Sequence, residues 1–294
     1  MKTYPDCIPC GVRQALEAAR MVSDDPAFHE RVLRETLKIL VELDYSLPPP
    51  VIASETHRLI RNLSGVEDIY HEAKQRFNSF VLDRLSRFKS MVESSPNPLE
   101  TALRLSLAGN VIDFGVRDDL DESEVESTIL QALEAELDSA TIHALRRSLE
   151  NARTVLYVGD NAGEIVFDRL FIETILEELG PLDICFVVRG RPILNDVTLE
   201  DAKQVGIDKI CRIVDTGCDA PGCLLNRCSP ECLAEIERSD LVIAKGQGNY
   251  ETLGELEQET FFLLKVKCRI IADDIGAELG QFILMRKERS SRVS

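Results

Sequence analysis

Two oxygen-bearing side chains stand side by side in Gly159-Asp160-Asn161-Ala162-Gly163-Glu164, directly after the apolar run Thr154-Val155-Leu156-Tyr157-Val158. A carboxylate beside an amide, with no lysine in the same turn, suits a hard cation better than a bare anion. The β-branched run, the glycine-bounded turn and the amphipathic stretch Ile165 to Leu179 predict strand, loop and helix. Asp160 and Asn161 then stand at the carboxyl end of a strand, where open α/β sheets bind ligands. The amides that open the following helix suit a phosphate. A metal and a phosphate held together is the chemistry this segment predicts.

The elements that must position these groups follow from the rest of the second half. Further short runs at Asp183–Val188, Lys209–Val214, Asp240–Ala244 and Cys268–Ala272 alternate with helical stretches. That alternation predicts βαβ units and a parallel sheet buried on both faces. Arg189, Arg191, Asn195 and Asp196 follow the second run, Lys245-Gly246-Gln247-Gly248-Asn249-Tyr250-Glu251 the fourth, and Asp273 and Asp274 the fifth. In a parallel sheet these ends share one edge, so groups far apart in sequence converge on one crevice. Each motif taken alone has a plainer reading. Asp160-Asn161 and Asn195-Asp196 also suit turns or helix caps. The stretch from Lys245 to Asn249 also suits a glycine-rich connection, and Asp273-Asp274 a turn. Glu164 either orients a water or ligand or is a first-turn carboxylate favoured by the helix dipole.

Residues 1 to about 150 read differently. Val12 to Met21, Phe28 to Leu43, Val51 to Ser64, Tyr70 to Glu93, Pro98 to Leu107, Ser123 to Leu137 and Ala140 to Asn151 carry apolar residues at helical spacing. The expected fold is therefore α/β: an all-helical N-terminal domain, residues 1–150, and a Rossmann-like parallel-sheet C-terminal domain, residues 151–294.

Composition narrows the function. The formal net charge of −17, from 51 acidic and 34 basic residues, argues against nucleic acid or an anionic membrane as a general partner. No apolar run approaches the ~20 residues of a membrane span. The opening Met1-Lys2-Thr3-Tyr4-Pro5-Asp6 lacks a signal-peptide core, which makes a cytoplasmic location the expectation. The nine cysteines include Cys7-x-x-Cys10 and a loop cluster of Cys218, Cys223, Cys228 and Cys232. A structural metal, buried apolar thiols and disulfides are the alternatives there. His29, His57, His71 and His143 lie in the helical half at no ligand spacing and read as surface or packing residues.

Several blocks together resemble a known family. Gly159–Glu164, Asn195-Asp196-Val197-Thr198 and Lys245–Glu251 look like the signature blocks of the DUF89 family, the metal-dependent damage-control phosphatases also called ARMT1-like proteins. Pro5-Asp6-Cys7-Ile8-Pro9-Cys10 and Ala108-Gly109-Asn110-Val111-Ile112-Asp113-Phe114-Gly115 look like its CxxC-bearing prokaryotic subgroup. Leu264-Lys265-Val266-Lys267-Cys268 resembles its late block. The resemblance implies a helical part joined to a Rossmann-like part. It implies a divalent metal (Mn²⁺, Co²⁺, Ni²⁺ or Mg²⁺) on Asp160, Asn161 and Asp196, and a phosphate contact from Lys267, with Lys265 close by. It also implies hydrolysis of small phosphorylated metabolites, such as sugar phosphates or damaged phosphorylated cofactors.

With that chemistry, Asp160, Asn161, Glu164 and Lys267 are the candidate catalytic residues. Gly163, Arg191, Lys245, Gly246 and Asn249 are candidate substrate contacts. Asn110 and Asp113 would reach across from the helical half, sharing one helix face at i, i+3, although the flanking glycines equally suit a capped turn. Asp160 as a nucleophile is a second mechanism. S-adenosylmethionine-dependent carboxyl methyl transfer, an activity also attributed to part of this family, and a cysteine-based metal or redox module are alternative functions. The acidic turn after the first strand lacks the glycine-rich loop that would favour the methyltransferase.

Overall fold

The computed structural model describes residues 1–109 and 122–289. The helical half comprises α1 (Cys7–Val22), α2 (Pro26–Val41), α3 (Pro50–Ser64), α4 (His71–Leu82), α5 (Leu85–Glu93), α6 (Pro98–Gly109), α7 (Glu122–Glu134) and α8 (Ser139–Asn151). Their ends follow local rules. Asp25 caps α2, accepting a hydrogen bond from the Ala27 amide ahead of a first-turn proline. Gly65, at φ 74°, closes α3 in the left-handed conformation. The expected single helix from Tyr70 to Glu93 is two, broken at Asp83-Arg84. Phe77 and Val81 line the buried side of one, and Phe88 and Val92 that of the other. The apolar spacing therefore runs through a break that no glycine or proline marks.

The second half comprises β1 (Thr154–Val158), α9 (Glu164–Leu179), β2 (Asp183–Val188), α10 (Leu199–Val205), β3 (Arg212–Asp215), α11 (Pro230–Arg238), β4 (Leu241–Lys245), α12 (Gly246–Leu253), β5 (Glu259–Lys265), α13 (Arg269–Ile275) and β6 (Phe282–Lys287). The strand order is β3-β2-β1-β4-β5-β6. Neighbours from β3 to β5 are parallel and β6 is antiparallel to β5. The central strands read as continuous apolar runs because both faces are covered, and every residue of β4 is buried.

Four of the expected strands stand at or near their places. β3 starts at Arg212 because Ile207–Lys209 forms a 3₁₀ turn. The fifth is a correction. Cys268–Ala272, expected as a strand, belongs to the helix α13, and the strand is the preceding Glu259–Lys265. Ile270-Ile271-Ala272 is a short apolar run, which periodicity alone cannot separate from a buried helical segment. Asp273 and Asp274 accordingly lie on α13, where Asp274 accepts a 2.6 Å hydrogen bond from the Tyr250 hydroxyl. They are not at a strand end.

The largest apolar cluster runs from Phe77, Phe88, Leu103 and Leu149 to Tyr157, Phe167, Phe186 and Phe261. It crosses residue 150, which falls inside α8. A second cluster on the other sheet face joins Val158, Val187 and Val242 to Cys223, Cys232 and Leu253. Helices α1 to α3 hold a smaller cluster of their own around Ala15, Ala19, Val32 and Ile60. Polar ties bring α3 to the carboxyl edge of the sheet. Arg58 pairs with Asp219 at 2.6 Å, and Arg61 binds both Asp219 and the Pro192 carbonyl oxygen. Among the described residues no helix is long and apolar enough to cross a membrane.

Candidate metal centre

Two loops build the centre. The turn after β1 and the loop after β2 zip together through backbone hydrogen bonds, Val197 N to Asp160 O at 2.8 Å and Ala162 N to Asn195 O at 2.9 Å. Asn161 thereby opposes Asp196 in an isolated antiparallel bridge. Gly159 has to be glycine, since a Cβ there would stand 2.7 Å from the Phe186 ring. Leu194, two residues before Asp196, takes φ 48°, the unfavourable left-handed region for a side-chain-bearing residue. Asp160, Asn161 and Asp196 thus converge in a buried site.

Arg189, wholly buried, holds Asp196 through Nε at 2.6 Å from Oδ2, and its Nη2 lies 3.6 Å from Asp160 Oδ1. Asn161 Nδ2 donates to Asp160 Oδ2 at 2.7 Å and to Glu164 Oε2 at 3.3 Å. Burial, with the charges of Asp196 and Glu164, pushes the Asp160 carboxyl up to about 8, against the opposing pull of Lys267 and Arg189. Burial also raises Asp196, with Arg189 the main offset. Crowded carboxylates that cling to their protons are short of positive charge, and the donors are oxygens alone. A hard divalent cation fits that set. A further oxygen lines the same turn. Asn249 is fully buried, and its Nδ2 ties down the Gly159 and Lys245 carbonyls at 3.0 and 2.6 Å. Its Oδ1 has no hydrogen-bond partner among the described residues.

Lys245, expected as a substrate contact, does something else. Its ammonium is buried and lies 2.6 Å from Glu164 and 2.6 Å from Asp168, with further bonds to Ser106 Oγ at 2.7 Å and Ser106 O at 2.9 Å. An ammonium has three donors, and these four partners occupy them. Lys245 therefore fixes Glu164, which in turn holds the Asn161 amide. Asp168 accepts from the Tyr157 hydroxyl at 2.7 Å, and burial raises its carboxyl to about 6 despite Lys245.

Other expected contacts divide. The Gly163 amide is taken by Asn78 Oδ1 at 2.7 Å, so the first turn of α9 is a clamp to α4 and not a phosphate cradle. Arg191 is exposed and pairs with Glu67 at 3.0 Å, away from the carboxylates. Both arginines lie just past β2, and spacing alone does not say which one turns inward. Gly246, at φ 77°, lies directly against Asp160, and a Cβ there would overlap Oδ2. The positive end of α12 therefore meets that carboxylate. Lys267 is exposed at the mouth, and its charge is felt at both Asp160 and Asp196. Lys265 instead sits over the Phe282 ring, 5.4 Å from its centroid. β5 ends at Lys265, so strand alternation does not carry on to Lys267. Asn110 and Asp113 lie outside the described residues.

Sequence reasoning passed over Arg189 as a site residue, and it missed Asn78, Ser106 and Asp168 altogether. Asn78 and Ser106 sit on helices whose relation to the sheet is purely tertiary. Asp168 carried a usable signal, because it lies four residues after Glu164 on the same helix face. A depression of about 560 Å³, lined by residues including Arg153, Asp240 and Glu259, opens at the opposite sheet edge and contains none of the expected site residues.

Known proteins are similar to this chain over nearly its full length. Residues 3–283 match the damage-control phosphatase ARMT1-like domain. A protein of Archaeoglobus fulgidus named damage-control phosphatase is 35% identical over 96% of this chain and 98% of its own. A damage-control phosphatase of Pyrococcus horikoshii is 30% identical over 98% and 99%. An uncharacterized protein of Methanocaldococcus jannaschii is 36% identical over 98% and 96%. The crystal structure of a DUF89 family protein from P. horikoshii superposes with a TM-score of 0.87 at 29% identity, covering 98% of this chain and all of that one. The chain belongs to the ARMT1-like (DUF89) family of damage-control phosphatases.

Proposed function

We propose that the protein is a metal-dependent phosphatase of small phosphate monoesters, with Asp160, Asn161 and Asp196 holding a divalent metal. The observation that carries this reading is their convergence, from two separate loops, into a buried all-oxygen cluster whose Asp160 carboxyl is pushed up to about 8 by burial and its acidic neighbours. The names of the A. fulgidus and P. horikoshii relatives support the reaction class. The donor chemistry favours Mn²⁺ or Mg²⁺, and the family resemblance adds Co²⁺ and Ni²⁺. Such an ion, when bound, acts as a Lewis acid on a phosphoryl oxygen and acidifies water.

The protein's own groups supply the rest. Phosphoryl transfer needs positioning and charge neutralisation more than covalent chemistry. Lys267 at the mouth neutralises phosphate charge, and the positive end of α12 backs the same spot. Arg189 holds Asp196. Lys245 and Glu164 hold Asn161. The substrates we infer are small phosphate monoesters such as sugar phosphates or damaged phosphorylated cofactors, the class that the names of the relatives suggest.

Phosphate release from a panel of such esters, with Mn²⁺ supplied, tests this reading. Turnover of at least one ester is expected, with Lys267→Ala raising KM about 10- to 100-fold, the worth of one charge-assisted hydrogen bond. A protein that binds Mn²⁺ yet releases phosphate from no monoester contradicts it.

A further inference from the structure

Cys223, Cys228 and Cys232 bring their sulfurs within 4.8 Å of one another, close enough to Arg189 for its charge to reach Cys223 and Cys232. Cys223 and Cys228 are 3.2 Å apart. All three thiols are free. Several features hold them there. Gly222, at φ 83°, packs so closely on α12 that a Cβ would overlap the Gly248 carbonyl, and the Cys223 amide donates to Thr252 Oγ1 at 3.0 Å. A 3₁₀ turn at Leu225–Arg227 leads directly into Cys228. Cys232 sits in the first turn of α11, where Ser229 caps its amide at 3.2 Å and the helix dipole favours a thiolate.

We propose that Cys223, Cys228 and Cys232 form a second metal site, for a thiophilic divalent ion such as Zn²⁺, distinct from the oxygen site at Asp160. Three thiolates at corners of a Zn²⁺ tetrahedron, with Zn–S about 2.3 Å, stand about 3.8 Å apart. The observed cluster reaches that with shifts below an ångström or so. A 4Fe–4S cluster takes one thiolate per iron and a 2Fe–2S cluster two, so three sulfurs this close to one another suit neither. A disulfide would use two sulfurs and leave the third without purpose. As each Zn–S bond forms, the thiol proton leaves to solvent. The product carries one net negative charge, and Arg189 offsets it. Neither terminal nitrogen of this buried guanidinium makes a hydrogen bond among the described residues, and its charge is felt at both Cys223 and Cys232. The charge of Arg189 thus bears on both sites, and filling the sulfur site stiffens the loop that packs on α12. Three protein ligands leave the fourth position to solvent.

Reduced, chelator-stripped full-length protein would be loaded with Zn²⁺ or, for its colour, Co²⁺, and its cysteines alkylated and mapped. One ion per chain is expected to survive dialysis against a weak chelator, with thiolate-to-cobalt charge-transfer absorption. Alkylation of Cys223, Cys228 and Cys232 should slow at least about tenfold, while Mg²⁺ changes nothing. Asp160→Asn should leave all of this intact, which separates the sulfur site from the phosphatase reading. Cys228→Ser, at the partly exposed member, should lose the absorption while keeping the fold. Protection that falls on Cys7, Cys10 or Cys268, or on no cysteine, overturns the proposal. So does charge transfer that survives Cys228→Ser.

Discussion

At Asp160 the sign of the pH dependence follows from burial. Its carboxyl rises from an ordinary 3.8 to about 8 in the folded, metal-free protein. The folded state therefore binds a proton that the unfolded state has released, and stability falls as pH rises between those values, by up to about 1.4 kcal/mol per pH unit. A cation at the site competes with that proton. The increase in Tm on adding Mn²⁺ should grow with pH and level off above about 8. An increment that is flat or falls with pH contradicts this. Asp160→Asn removes the buried charge while keeping the shape. Metal-free Asp160→Asn should be more stable than the parent above pH 8 by about 1 kcal/mol or more, measured by urea titration, with phosphatase turnover lost. At this scale the sequence was most readable, because Asp160, Asn161 and Asp196 each follow a strand that announces itself by its apolar run. Arg189 was not readable as the inward arginine. Its burial depends on the bridge between Asn161 and Asp196, which joins residues 35 apart.

At the scale of elements, α12 is the part that cannot be altered cheaply. Gly246→Ala would push a Cβ into Asp160 and strain a backbone at φ 77°. The variant should fold but lose Mn²⁺ affinity at least about tenfold, measured by calorimetry. Unchanged affinity would mean that α12 does not abut the metal. Lys245→Met strips the cation from Glu164 and Asp168 and leaves two buried carboxyls facing each other. It should cost about 3–5 kcal/mol of stability, read by chemical unfolding, and a loss under 1 kcal/mol would show that the network is not what fixes Glu164. The glycines of this segment were visible in sequence, but the role of Lys245 was not. A lysine just past a strand looks like a ligand contact until the helix that covers it, α6 with Ser106, is in place. The exchange of β5 and α13 has the same origin. Short apolar runs carry no period of their own, and it is pairing with β4 on one side and β6 on the other that decides which run is a strand.

For the whole molecule, composition and alternation were enough to identify a helical part and a parallel sheet. They did not show how closely the two are joined. The main apolar cluster passes through α4 to α9 and into the sheet without interruption, so α4 to α8 and the sheet should unfold together. Urea unfolding followed at once by far-UV circular dichroism and tyrosine fluorescence should give coincident transitions, and residues 151–294 expressed alone should not fold cooperatively. Two well-separated transitions would show a division near residue 150 after all.

The most direct test of the central claim is hydrolysis of a generic phosphate monoester by metal-stripped protein, with Mn²⁺ or Mg²⁺ added back, beside Asp160→Asn and Asp196→Asn. Turnover that needs the metal and falls at least about 100-fold in both variants is the predicted result. Turnover without metal, or undiminished in the two variants, would contradict a metal centre at Asp160, Asn161 and Asp196.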